Sequence, residues 1–103
     1  MGAMTAASPA AVLAALASDA RLRGYLRGGR IEAMPAKLSR RRELLAEVAQ
    51  AFEPGVYYPE GRVNEILGAL YADYAALRRY LVDEDFLDRE GGEYWRIGGP
   101  VSA

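Results

Sequence analysis

YYPEGRVNEILGALYADYAALRRYLVDEDFLDREGGEYWR, residues 57–96, is the stretch whose reading decides the fold. Two runs within it carry apolar residues at helical spacing. Val63, Ile66, Leu67 and Leu70 make one stripe, and Tyr74, Leu77 and Leu81 make the next. Between them Asp73 is placed to cap the second helix, because its carboxylate accepts the amide hydrogens left free in a first turn. Pro59 halts the β-prone run Val56-Tyr57-Tyr58, and the first helix starts at Glu60. Beyond the second helix, Phe86-Leu87 leads into a hairpin. Gly91-Gly92, between Glu90 and Glu93, suits a two-residue turn that needs positive φ at both centres. Alternation along the strands puts Leu87 with Arg89, and Tyr94 with Arg96, on shared faces. Trp95 takes the other face, with Phe86 and Asp88 on that same alternation.

Upstream, Ser39 is expected to cap a helix whose stripe is Leu44, Leu45, Val48 and Phe52, ended by Glu53-Pro54-Gly55. Nearer the start, Ser8 and Pro9 read as an N-cap and a first helical position, with helix over 10–17. A second helical piece is expected from Asp19 through Leu22, Tyr25 and Leu26, stopped by Gly28-Gly29. A short strand follows within 30–34. This order predicts an α+β, mostly helical fold: a winged helix-turn-helix with a small antiparallel β-hairpin wing and an N-terminal helical extension. The strand at 56–58 should pair with the hairpin. Leu44, Leu45, Val48, Phe52, Val63, Leu67, Leu70, Leu77 and Leu81 should form the core. The expected division is a flexible N-terminus (1–7), the extension with its short strand (8–38), the winged-helix domain (39–98) and a tail (99–103).

Composition narrows the chemistry. The chain's 103 residues make about one domain, and 51% apolar content with a formal charge of −1 favours folding over disorder. It holds neither cysteine nor histidine. Disulfides and thiolate metal sites are therefore excluded, and the usual parts of a hydrolytic triad or zinc site are missing. Three consecutive acids, Asp83-Glu84-Asp85, cannot converge on one ion from a helix end. We expect no catalysis, no cofactor and no metal. The charge is uneven: up to Arg42 eight basic residues face two acids, a net of +6, and from Glu43 onward five arginines face twelve acids, a net of −7. The opening residues lack the positive segment of a secretory leader, and the apolar run is far shorter than the ~20 residues of a membrane span, so a cytoplasmic protein is expected.

Several short motifs together are recognisable. RVNEIL at 62–67, LRRYLVDEDFLDRE at 77–90 and YWR at 94–96, with GRIEAMPAK at 29–37 and AFEPGVYYPE at 51–60, resemble the bacterial domain of unknown function 2087 family. The resemblance covers roughly residues 29–96. It implies a winged-helix domain, found alone or attached to helix-turn-helix transcriptional regulators, and it implies no catalytic residues. Two positions depart from the family pattern. Arg62 stands where members tend to have an acid before Val-Asn, and Asp85 stands where they tend to have a glycine. Aspartate tolerates a left-handed backbone better than most residues, so the turn at Asp85 is expected to survive.

If Leu77 and Leu81 face inward, Arg79 lies almost opposite them and Arg78 on the flank, beside the small Ala75 and Ala76. Arg79 is then placed for a guanine edge and Arg78 for a phosphate. The competing picture is a solvated helix whose arginines pair with Asp83, Glu84 or Asp85. The acids Asp83, Glu84, Asp85, Asp88, Glu90 and Glu93 crowd the wing, where a DNA reader favours cations. Lys37, Arg40, Arg41 and Arg42 form a cationic cluster at a helix start, against the macrodipole. Its compensating charge is open between a nucleic-acid phosphate, a partner protein and the chain's own acidic half. Arg62 would extend a phosphate track, and Asn64 is expected to pin a neighbouring turn or strand. The function expected is a transcription-related winged-helix domain, DNA-binding or regulatory, with duplex DNA as partner. The alternative is a protein-interaction or dimerisation module, its acidic wing facing a basic partner and Val12, Leu13 and Leu16 forming a docking surface.

Overall fold

The computed structural model describes residues 6–99. Ser8 caps the first helix, α1 (Pro9–Ser18), its side chain accepting from the Ala11 amide at 3.1 Å with Pro9 at the first position. A 3-10 turn (Arg23–Tyr25) and a two-stranded hairpin, β1 (Leu26–Arg27) with β2 (Arg30–Ile31), follow. Next come α2 (Leu38–Ala49), β3 (Tyr58–Pro59), α3 (Glu60–Gly68), α4 (Tyr74–Asp83), β4 (Leu87–Glu90) and β5 (Glu93–Arg96). The described residues thus form a mixed α+β fold with four α-helices and two small antiparallel sheets. The second sheet has the order β3-β5-β4, with Tyr58 opposite Tyr94 and Leu87 opposite Arg96.

Local chemistry accounts for the main joints. Asp73 caps α4, its carboxylate accepting from the Ala76 amide at 3.1 Å. Gly91 and Gly92 sit at φ of 60° and 82°, as a tight hairpin turn between right-twisted strands requires. Asp85 has a φ of 63°, the non-glycine left-handed position that lets the chain leave α4 and turn into β4. All nine residues expected in the core are buried, and Val12, Leu16, Leu22, Ile31, Phe86, Leu87 and Tyr94 join them in one cluster. Each fully buried side chain of this size stabilises the fold by about 1.5–3 kcal/mol relative to exposure.

Five expectations need correction. Residues 19–26 are not a second helix; the chain makes a 3-10 turn and then β1, so Gly28-Gly29 forms the β1–β2 hairpin turn instead of stopping a helix. Arg27 and Arg30 flank that turn as Glu90 and Glu93 flank the other, which makes the two signals alike. Ser39 is not the cap of α2: the helix starts one residue earlier, and Lys37 occupies the cap with no side-chain hydrogen bond. The strand expected at 56–58 is Tyr58–Pro59. Its proline is tolerated because β3 is an edge strand. Tyr74 is 42% exposed, outside the stripe that Leu77 and Leu81 continue. Val12 and Leu16 are 1% and 0% exposed, so the expected docking surface on α1 is spent inside the molecule's own core. Of the segment 1–7, residues 1–5 lie outside the described residues, while the Ala7 amide donates to the Gln50 carbonyl at 2.7 Å. Of the tail, residues 100–103 also lie outside them.

Candidate nucleic-acid interface

The outward face of α4 follows from its buried one. With Leu77 and Leu81 fully covered, Arg79 projects to solvent and makes no hydrogen bond or ion pair among the described residues. Arg78 does not reach outward as expected. Its Nη1 donates to the Oδ1 of Asn64 on α3, and its guanidinium lies over the Tyr94 ring, 5.9 Å from the centroid. Asn64, expected to pin a neighbouring turn or strand, instead accepts from an arginine of α4. Arg78 braces α4 against α3 and β5.

A third arginine joins them. Arg89, on β4, stands opposite Tyr94 in the strand register. The Tyr94 hydroxyl donates to Glu60 Oε1 at 3.0 Å, and its hydrogen bond with Arg89 is the main cause that draws that guanidinium above its ordinary pKa. Arg78, Arg79 and Arg89, with Ala75, Val82 and Asp83, line a cleft of about 200 Å³ between α4 and β4. Arg89 was absent from the residues singled out in the sequence. Its alternation with Leu87 was visible there, but nothing local says that this face looks onto α4.

The hairpin sorts its charges by face. Leu87, Arg89, Tyr94 and Arg96 share one side, while Asp88, Glu90, Glu93 and Trp95 share the other. The carboxylates of Asp88, Glu90 and Glu93 therefore alternate away from the side of the hairpin that carries Arg89. On their side Trp95 stacks on the exposed Tyr57, with ring centroids 4.8 Å apart. Tyr58 turns the other way, packing edge-on against Phe52 and accepting from the Glu53 amide at 2.8 Å. Arg96 is structural: it donates to the carbonyls of Phe52 (3.2 Å) and Gly98 (2.9 Å), and burial lowers its pKa. The ordinary value of a guanidinium is so high that it stays charged near neutrality.

The basic cluster on α2 is engaged with the molecule's own groups. Arg40 pairs with Glu43 at 3.2 Å and donates to the Arg21 carbonyl. Arg41 donates to the carbonyls of Pro35 and Ala36, beneath the Tyr80 ring. Arg42 pairs with Glu84 at the end of α4, at 2.8 Å. Arg62 pairs with Glu65 one turn along α3. Lys37 is exposed and unpaired among the described residues. The structure thus brings Arg78 and Arg79 together with Arg89, and ties Arg40, Arg41, Arg42 and Arg62 elsewhere. These half-exposed pairs are worth about 0–1 kcal/mol each, little enough to exchange for another anion.

Among the described residues no group of three or more Asp or Glu is arranged to hold a metal ion. No helix there is long and apolar enough to cross a membrane. No curated protein and no solved structure is detectably similar to this chain. The family described as an uncharacterized protein conserved in bacteria (DUF2087) matches residues 30–96, which run from the start of β2 to the end of β5. That match takes in the arginine-lined cleft, the charge-sorted hairpin and the helices that hold them, and on it the chain belongs to the DUF2087 family.

Proposed function

We propose that residues 38–96 act as a winged helix-turn-helix that binds duplex DNA in a transcription-related role, without catalysis. The order α2, β3, α3, α4, β4, β5 supports this reading, with α4 as the helix offered to the major groove and the β4–β5 hairpin as the wing. The observation that carries it is the sorting of charge on the hairpin. An acidic wing argues against DNA only while its acids share the face of α4, and they occupy the opposite one. Arg79, unpaired among the described residues and flanked by Ala75 and Ala76, is the residue for a base edge; Arg78, Arg89, the unpaired Lys37 and the surface-paired Arg40 and Arg42 serve phosphates, with Arg41 holding their helix in place.

The test is fluorescence anisotropy of labelled duplexes at several salt concentrations. Binding should weaken steeply with salt, and the Arg78→Ala/Arg79→Ala variant, which loses one phosphate contact and one base contact, should lower the slope of log K against log salt by about 1. A flat response to every duplex at low salt would reject the reading.

A second reading is favoured by the outer face of the hairpin. There Glu90 faces Glu93 across the strands, and Asp88, Glu90 and Glu93 have no cationic partner among the described residues. Like charges placed opposite each other are destabilising. A basic segment of a partner protein would relieve them, with the Tyr57–Trp95 stack as its aromatic anchor. Cross-linking or calorimetry with basic peptides tests this, and loss of binding in Trp95→Ala is the expected result.

A further inference from the structure

We propose that the cleft between α4 and β4 is a site for one phosphoryl group, with Arg78 and Arg89 as its donors and the exposed Arg79 at its edge. The inference deepens the DNA-binding reading and rests on it for one of two possible sources: the phosphate belongs either to the DNA backbone or to a small phosphorylated molecule.

Three observations carry it. First, the half of the chain from Glu43 onward holds five arginines among twelve acids, yet three of those arginines line one cleft of about 200 Å³ with Asp83 as the only acid. Three guanidiniums against one carboxylate leave a lining charge of +2, which repels itself unless an anion occupies the space. A phosphomonoester carries about the opposite charge, and a backbone phosphodiester about half of it.

Second, one of the donors, Arg78, is held in place before any ligand arrives. Asn64 accepts from Arg78, whose guanidinium lies over the face of Tyr94, and Arg89 stands opposite Tyr94 in the strand register. Donors fixed before a ligand arrives cost less to order on binding. Third, the cleft is lined from two different elements, with Arg78 and Arg79 on α4 and Arg89 on β4. Planar guanidinium forks match the oxygens of a phosphoryl group, which chloride cannot engage bidentately.

The experiment is an NMR titration of the full chain, following arginine side-chain N–H resonances at constant ionic strength, first with inorganic phosphate and then with a short blunt duplex. Phosphate should shift Arg78, Arg79 and Arg89 saturably. Arg89→Ala should weaken it at least about tenfold, the effect of losing one charged hydrogen bond. Arg89→Lys should recover part of the loss, and Arg23→Ala, an exposed arginine on the 3-10 turn, should change nothing. Shifts that never saturate, or that Arg23 shares, or an unaltered affinity in Arg89→Ala, would overturn the site. The duplex arm separates the sources. Equal shifts of the three arginines by the duplex identify a backbone phosphate. Saturation by phosphate with silence toward DNA sustains the site, assigns it to a small phosphorylated molecule and removes the DNA reading. A duplex that moves Arg79 while neither probe moves Arg89 removes the site and leaves the DNA reading standing.

Discussion

Asp85 accepts a left-handed backbone, with φ of 63°, at the point where α4 gives way to β4. A β-branched side chain there meets its own carbonyl, so Asp85→Val should cost about 1–2 kcal/mol, whereas Asp85→Gly should leave stability unchanged or higher. Chemical denaturation of the two variants checks this, and equal effects would contradict it. Gly98 poses the converse problem. A Cβ added there would lie 2.5 Å from the Asp85 carbonyl oxygen, backbone that cannot step aside. Gly98→Ala should therefore destabilise by about 1–3 kcal/mol. The left-handed turn at Asp85 was legible from the resemblance and the chemistry of aspartate together. The crowding at Gly98 was not, because it arises from a contact thirteen positions away in the chain that only the folded hairpin creates.

Helix α4 and the hairpin act as a pair, and each depends on a small number of groups. Asp73 supplies the cap of α4, and Asp73→Ala should cost about 1 kcal/mol, read as a fall in melting temperature of about 4–8 °C. At this scale the sequence was most informative where periodicity was long. The stripes of α2, α3 and α4 located the core, and Gly91-Gly92 located the turn. It was least informative over 19–31, where Leu22, Tyr25 and Leu26 happen to fall at helical spacing in a stretch that holds only a single 3-10 turn and two-residue strands. Arg89 escaped notice for a related reason. Alternation assigns it a face, but which face meets α4 is decided by the hairpin packing Leu87 and Tyr94 inward. Counting the acids of the hairpin without that face made the segment look hostile to DNA.

At the scale of the whole molecule, residues before the family match complete the core. Val12, Leu16 and Leu22 are at most 1% exposed and pack in the same cluster as Leu44, Phe52 and Leu77. The Ile31 amide, at the head of the matched region, donates to the Leu70 carbonyl at 2.9 Å and ties that start to the α3–α4 turn. Removing residues 1–29 should forfeit the burial of three side chains at about 1.5–3 kcal/mol each, a large share of a small domain's stability. The shortened chain should bind a hydrophobic dye and unfold without a sharp transition; a cooperative melt at the parent temperature would contradict this.

The central claim is that cationic and acidic groups of the hairpin look in opposite directions, with nucleic acid on the cationic side. Backbone chemical-shift mapping of the full chain with a short duplex at low salt tests it most directly. Perturbations should gather at Ala75, Arg78, Arg79 and Arg89. Perturbations that gather instead at Tyr57, Asp88, Glu93 and Trp95, or nowhere, would contradict it.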